Sequence, residues 1–376
     1  MSASNFTFQQ VREDYRLLDH ENVFIPQTIR LISHQNFTTI PGIEVENLAP
    51  SFFARLFSKI SLVFNIFYSL QLLYHAKKNT VIIINGCNVY LLFCIGFFNQ
   101  CVFFRRRTIL VWDIFVEFSE SKKRFLLFPF LSINKTSKEA VARYIMRGFD
   151  LIVLWSRKQV VLHADFYQLP LDKFIFLPFK SDHSKNLPID KLELGDYIFS
   201  GGNSNRDYHC LTEAVRGTGI PVVISATNPE IRKKIGYLSN VIVVGAQEPA
   251  FTQLMASSRF VVLPMEKTKL RAAGEANFCN AMWHGKPIIA SCSLSAEDYI
   301  INNETGFVVP SGDSQQLRHR IVELWNDKAR CTEIGKQGRK HVLKYFTHEK
   351  FIRRLLHLAL LLGEEKGAGR KTCDDD

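Results

Sequence analysis

Short apolar runs alternate with stretches of helical period along most of this chain. In the first half, residues 80–85, 108–113 and 150–155 are β-branched and apolar and end on polar residues. Runs that are apolar at successive positions predict strands buried on both faces of a parallel sheet. Residues 139–148 and 157–167 carry the helical period. Residues 22–26 and 28–32 are further candidate strands. Residues 180–194 are polar and predict a linker. Beyond it the rhythm is clearer. Residues 197–200, 222–225, 241–244, 260–263, 288–290 and 306–309 read as six short strands, with helical stretches between most of them. That alternation predicts a doubly wound α/β domain. Asp313 caps a helix over 314–326, with Gln316 set for a capping box. Thr347 opens a last helix to about residue 362, where Gly363 is expected to stop it. The expected organisation is an N-terminal domain over 1–182, a C-terminal domain over 183–346, a helix over 347–363 and a disordered polar tail over 364–376.

Composition sharpens the contrast between the halves. Of 31 phenylalanines in the 376 residues, 24 lie in residues 1–180. The formal charge is +11, and the same stretch holds 21 Lys and Arg against 13 Asp and Glu. A basic, aromatic-rich half suits anionic lipid or a phosphorylated substrate. No RNA-binding aromatic signature or zinc finger is present, so no nucleic-acid partner is expected. The longest apolar runs, 61–73 and 89–104, fall short of the roughly 20 residues a membrane-spanning helix needs. One reading makes them buried core helices. The other lays part of 51–78 on a membrane surface through Phe52, Phe53, Phe57, Phe64 and Phe67, with Arg55, Lys59, Lys77 and Lys78 as cationic partners. The polar N-terminus points to the cytoplasm, with a peripheral contact on the cytoplasmic face of the inner membrane as the expected membrane partner. Eight cysteines without a Cys-x-x-Cys pair exclude a disulfide scaffold and a zinc ribbon. Cys87, Cys94 and Cys101 recur every seven residues and are expected to share a core-facing side of a helix. His183, His209, His284 and His341 show no metal-ligand spacing, so no metal site and no cofactor is expected.

In a doubly wound sheet, ligands bind beyond the carboxyl ends of the strands. The residues just after each strand therefore carry the chemistry. Gly201, Gly202, Asn203 and Arg206 follow the first strand of the second half. The glycines let a backbone approach a ligand, and Arg206 adds charge-assisted hydrogen bonds. Gly245 opens a loop that suits a base edge or a plain turn. After 260–263 comes a basic loop with Lys267, Lys269 and Arg271, then Ala273, Gly274 and Glu275 at the start of a helix ending near His284 and Gly285. Open amides at a helix start, ringed by cations, suit a diphosphate.

Here the residues carry a resemblance. Residues 280–291, 298–310 and 346–349 resemble the C-terminal half of GT-B glycosyltransferases, nearest to family 4 and related groups, and the match extends over 195–346. The resemblance implies two Rossmann-like domains facing each other across a cleft. It implies a nucleoside-diphosphate sugar donor held mainly by the second domain, a glycan or lipid-linked acceptor held by the first, and no obligatory metal. Carried over by position, Gly202 and Arg206 would face the diphosphate, and Ala273 and Gly274 would offer backbone N–H groups. Asn280 occupies the place of a glutamate that holds the ribose. Its partner glutamate is Ala272 here, and Glu275 would take over the sugar contact. An inverting reaction also needs an acceptor base. Asp113, after the strand at 108–112, is the candidate, with Glu117 second; a helix N-cap is the structural alternative for Asp113. Two other functions stay open at this point: a nucleotide-sugar epimerase of the same fold, and a scaffold that has lost the paired glutamates.

Overall fold

The computed structural model describes residues 7–19, 29–33, 35, 43–51, 61–77, 79–86, 88–103, 107–112, 135–183 and 194–371. The chain divides into two compact units. One comprises Met1–Leu177 together with Ile352–Asp376, the other Pro178–Phe351.

The first unit holds six parallel strands: β1 (Arg30–Ser33), β2 (Val45–Asn47), β3 (Thr80–Asn85), β4 (Thr108–Trp112), β5 (Leu151–Leu154) and β6 (Phe174–Phe176). They lie in the order β2-β1-β3-β4-β5-β6. Every residue of β3, β4 and β5 is buried, as uninterrupted apolar runs require. β2 and β6 are three residues each, too short to show a period, and the sequence gives no sign of β2. Around the sheet lie α1 (Phe8–Glu13), α2 (Ser61–His75), α3 (Val89–Cys101), α4 (Lys135–Arg147) and α5 (Arg157–Tyr167). α1 starts on a capping box between Thr7 and Gln10, and α3 on Asn88, which accepts from the Leu91 amide.

The apolar runs are core helices. Tyr68, Leu72 and Leu73 of α2 and Leu91, Leu92 and Ile95 of α3 sit in the main hydrophobic cluster with Ile82, Ile84 and Val111. Phe64 packs against that cluster, and Phe67 is 39% exposed. Phe52, Phe53, Arg55, Phe57, Lys59 and Lys78 lie outside the described residues. Among the described residues no helix is long and apolar enough to cross a membrane. The cysteine face is split: Cys94 is buried, whereas Cys101, at the end of α3, is exposed with its Sγ 3.0 Å from the Tyr144 hydroxyl. Cys87 lies outside the described residues.

The second unit holds β7 (Ile198–Gly201), β8 (Val222–Ser225), β9 (Val241–Val244), β10 (Phe260–Leu263), β11 (Ile288–Ser291) and β12 (Gly306–Val309), all parallel. Between and after them run α6 (Tyr208–Val215), α7 (Pro229–Ile235), α8 (Ala250–Ala256), α9 (Glu275–Trp283), α10 (Ala296–Tyr299), α11 (Ser314–Asn326) and α12 (Lys328–Tyr345). The strand order is β12-β11-β10-β7-β8-β9. Counted from the first strand of this unit, that is the 3-2-1-4-5-6 order of dinucleotide-binding sheets. The chain works outward from β7 through β8 to β9, then returns to lay β10 on the other side of β7.

The last helix differs from expectation. α13 (His348–Lys371) runs straight through Gly363, and only residues 372–376 of the expected tail lie outside the described residues. A Cβ at position 363 would lie 2.8 Å from Ile29 Cγ2 and 3.1 Å from Val81 Cγ2. This glycine admits close packing against β3 and the residue before β1 instead of ending a helix. Farther back on α13, fully buried Arg354 donates through Nε and Nη2 to the two carboxylate oxygens of Asp19, at 2.7 and 2.5 Å. Its guanidinium also lies over the Tyr15 ring, and His357 Nδ1 donates to the Leu18 carbonyl. The polar head of Arg354 is thus satisfied on the 3-10 turn Tyr15–Asp19, which ties the end of the chain to its beginning.

Removing one partner of a buried ion pair leaves the other desolvated and uncompensated. Arg354→Met is therefore expected to destabilise the protein by about 3 kcal/mol. The check is the denaturant midpoint of unfolding, and Asp19→Asn in the same background should recover part of the loss.

Candidate functional site

The reversal of strand order puts β7 and β10 side by side while the chain leaves them in opposite directions. The loops that follow, residues 202–207 and 264–274, border the opening between them. They are joined to each other. The Asp207 amide donates to the Pro264 carbonyl at 2.9 Å, and the Glu266 amide to the Asn205 carbonyl at 3.0 Å. Arg206 and Met265 form an antiparallel bridge between these contacts. Asp207 then caps α6 by accepting from the Cys210 amide.

Arg206 is fixed within this frame. Its Nε donates to the Gly201 carbonyl at 3.0 Å and its Nη1 to the Ser204 carbonyl at 2.6 Å. The Tyr208 hydroxyl holds the Gly202 carbonyl at 2.6 Å. Gly202 has φ +117°, and a Cβ there would lie 2.9 Å from Arg206 Nη2. Position 202 therefore needs glycine twice over, for its backbone and for the guanidinium above it. Arg206 Nη2 has no hydrogen-bond partner among the described residues.

The start of α9 completes the opening. Gly274, with φ +104°, is the N-cap and supplies no side-chain cap. The Asn277 side chain donates to the Gly201 carbonyl at 3.1 Å, which pins the first turn of α9 to the end of β7. The Glu275 carboxylate accepts from the Ser295 hydroxyl and from its own backbone N–H. Burial pushes the Glu275 carboxyl above its ordinary value, against those two bonds and the nearby charges of Arg206 and Arg271. Burial likewise pushes Arg206 down, with Glu275 opposing the shift and Arg271 adding to it. Gly201, Gly202, Arg206, Arg271, Ala273, Gly274 and Glu275 are thus brought to one place. Lys269 is exposed on the loop leading into it.

Three residues singled out in the sequence stand elsewhere. Asn203 bonds to Thr227 and to the Asn228 amide, bracing the loop after β8. Gly245, past the edge strand β9, lines an open groove of about 430 Å³ with Tyr197, Ala250 and Leu254. Asn280 is 5% exposed, and its Oδ1 accepts from the Ser181 hydroxyl at 2.8 Å, the Asp182 amide at 2.9 Å and the His183 amide at 3.4 Å. Its carbonyl is committed to the residues that enter the second unit, so the expected ribose contact has a competitor already in place. Asp113 and Glu117 lie outside the described residues.

The sequence passed over two features. Asn277 was one polar residue among several in a helix. His183 and His284 show no metal-ligand spacing in the sequence, and in the structure His183 Nδ1 lies 2.8 Å from His284 Nε2. Thr252 donates its single proton to Glu248, so it accepts from His183 Nε2–H at 2.9 Å. Neutral His183 then accepts at Nδ1, and His284 Nε2–H donates to it. Burial, with His183, Lys286 and Arg339 nearby, holds His284 down at about 3, so the pair is uncharged at neutral pH. Among the described residues no group of three His, Cys, Asp or Glu side chains is placed to hold a metal ion.

The Glu275 carboxyl gives a pH-dependent expectation. Its raised value means the folded protein binds this proton more tightly than the unfolded chain, so stability falls as pH rises from 4.5 through the raised value. Glu275→Gln keeps an acceptor for Ser295 and removes the charge. The variant is expected to melt above the native protein at pH 7, and the difference should close as pH falls below 4.5 in thermal scans across that range.

Residues 214–327 match a family model described as glycosyl transferases group 1. O-antigen chain mannosyltransferase C of Escherichia coli is 27% identical over 212 residues, which cover 52% of this chain and 56% of that protein. D-rhamnosyltransferase WbpZ of Pseudomonas aeruginosa is 29% identical over 145 residues, covering 37% and 38%. The matched stretches span about half or less of these curated relatives. Among solved structures, a glycosyltransferase from Rickettsia africae superposes with TM-score 0.59 at 13% identity, over 94% of this chain and 93% of that one. Anabaena Alr3699/HepE in complex with UDP-glucose gives TM-score 0.58 at 14% identity, over 83% and 84%. Sucrose-phosphate synthase from Thermosynechococcus elongatus gives 0.57 at 16%, over 86% and 85%. The second unit therefore carries a glycosyl transferases group 1 domain, and the two parallel-sheet units of the chain have the GT-B glycosyltransferase fold.

Proposed function

We propose that the protein is a glycosyltransferase that moves a sugar from a nucleoside-diphosphate donor to a glycan or lipid-linked acceptor of a surface polysaccharide, working at the cytoplasmic face of the membrane. The observation that carries this reading is Arg206. A guanidinium is built into the strand reversal, held by carbonyls on one side and left with an unused Nη2 beside the uncapped start of α9. A diphosphate answers both features. The names of the relatives, O-antigen mannosyl and rhamnosyl transferases, support the polysaccharide side of the reading. The UDP-glucose bound by the Anabaena neighbour supports the donor class.

In this reading the backbone amides of Ala273 and Gly274 ahead of α9, with Arg206 and Arg271, stabilise charge developing on the departing diphosphate. Lys269 adds attraction from the approach loop. The Glu275 carboxyl takes a hydroxyl of the transferred sugar. Adjacent strands are about 4.8 Å apart, so the loop after β9 begins roughly 10 Å from the end of β7. That span fits a diphosphate at Gly202 and a base near Gly245. Asn280 is left out of the donor site because its carbonyl is already engaged. Asp113, on the residue after β4, serves as acceptor base, with Glu117 as the alternative.

The test is a thermal-shift panel of UDP, GDP, ADP and dTDP and their sugars, followed by turnover with the sugar that responds. A ligand at one hundred times its dissociation constant should stabilise the protein by about 2.7 kcal/mol. Arg206→Ala is expected to remove the response and to lower kcat/KM by roughly 10²–10³-fold. No response to any nucleotide at millimolar concentration overturns the reading. Binding without turnover, unchanged in Asp113→Asn, assigns the chain to the scaffold class instead.

A further inference from the structure

α12 buries one face and exposes the other. Cys331, Ile334, Gly335, Gly338 and Val342 are the buried set. On the opposite side Lys336, Lys340 and Lys344 stand four residues apart, so their stems follow one line with about 6 Å of rise between neighbours. Arg339 and Leu343 lie beside that line, and the five side chains border a shallow, open depression of about 570 Å³. Among the described residues no acidic side chain lines it. Some cations of this unit have carboxylate partners, since Arg320 and Arg330 share Glu323, Arg216 pairs with Glu213, and Lys233 with Glu230, whereas Lys267, Lys269 and Lys328 are exposed without an ion pair among the described residues. Lys336, Lys340 and Lys344 have no ion pair among the described residues. Leu343, in their midst, is 43% exposed.

We propose that this face of α12 docks on an anionic lipid bilayer. Three points favour a bilayer over a polyanion in solution. The cationic row borders only a shallow, open depression, without walls to follow a strand or a glycan chain. Its charges are lysine ammoniums, which suit a diffuse negative surface, and not the planar forks that grip single phosphates. Leu343 has no use for a hydrated polyanion, whereas on a bilayer it enters the acyl boundary while the lysine stems lie flat and keep their ends at the headgroups. Arg339 is held in place meanwhile, with its guanidinium over the Trp283 ring and Nη1 donating to the Trp283 carbonyl. The surface lies wholly within the second unit and does not depend on the donor site or on the Phe-rich segment of the first unit.

The experiment is co-sedimentation of the full chain with phosphatidylcholine vesicles, with and without phosphatidylglycerol, at low and high salt. Binding is expected only with phosphatidylglycerol, and weaker at high salt. Replacing Lys336, Lys340 and Lys344 together by Gln should lower the partition coefficient roughly a hundredfold. Leu343→Ser should weaken binding while leaving its salt dependence unchanged. Circular dichroism and melting confirm that these surface variants stay folded. The proposal is overturned if the native chain binds neither vesicle or both equally. It is also overturned if the triple variant binds like the native chain. Heparin binding as tight as vesicle binding, and indifferent to Leu343→Ser, would make the row a polyanion contact instead.

Discussion

The site depends on a topological constraint. Because the chain finishes β9 and returns to lay β10 against β7, two neighbouring strands send their loops to opposite sides. No connection crosses the gap above them, so the end groups of those two strands are satisfied by local partners, the Gly201 carbonyl by Arg206 and Asn277, the Gly202 carbonyl by Tyr208 and the Pro264 carbonyl by Asp207. Every other feature of the site manages that opening. Backbone pairing between residues 205–207 and 264–266 sets its width, Asn277 pins the helix that borders it, and Arg206 fills its floor.

The charges gathered there oppose one another. Arg206 and Arg271 repel one another, and the carboxyl of Glu275 between them is too deeply buried to ionise at its ordinary value. A buried group stays perturbed when the field of its neighbours does not cover its loss of hydration. In the proposed reading, an anion with two charges at the start of α9 would reduce the repulsion between the arginines. The same anion would disfavour the ionised Glu275 carboxyl, in the direction in which burial already shifts it.

What could be read from the sequence follows from how local each feature is. The strands of the second unit were legible within a residue because burial on both faces makes β10 wholly apolar and leaves Ser291, at the end of β11, as the one polar residue of those two strands. β2, half-exposed and three residues long, left no such trace. The N-cap at Asp313 was legible, though Gln316 turns its side chain to the Asp313 carboxylate and not to the cap backbone. Gly363 was misread because a glycine that ends a helix and one that lets a helix touch its neighbour look alike until the neighbour, Ile29, is known. That Gly201, Gly202 and Arg206 come together with Arg271, Gly274 and Glu275 was legible because each set is nearly consecutive in the chain. The engagement of Asn280 was not, because its three partners lie 97 to 99 residues away.

That engagement gives the amide at position 280 a physical reason. α9 is a helix with two tasks. Its first turn faces the strand reversal, while Asn280 and His284, one turn apart, hold residues 181–183. The His183–His284 hydrogen bond needs at least one lone pair facing one N–H, and burial keeps both rings neutral so that it has them. A carboxylate at 280 would place a buried negative charge beside these imidazoles and draw protons onto them. With two donors then facing each other across 2.8 Å, the contact would open. Asn supplies the same acceptor oxygen to Ser181, Asp182 and His183 without the charge. The residue that departs from the resembling family is thus matched to a neutral histidine pair, and any return to a carboxylate there has to answer for that pair as well as for the donor.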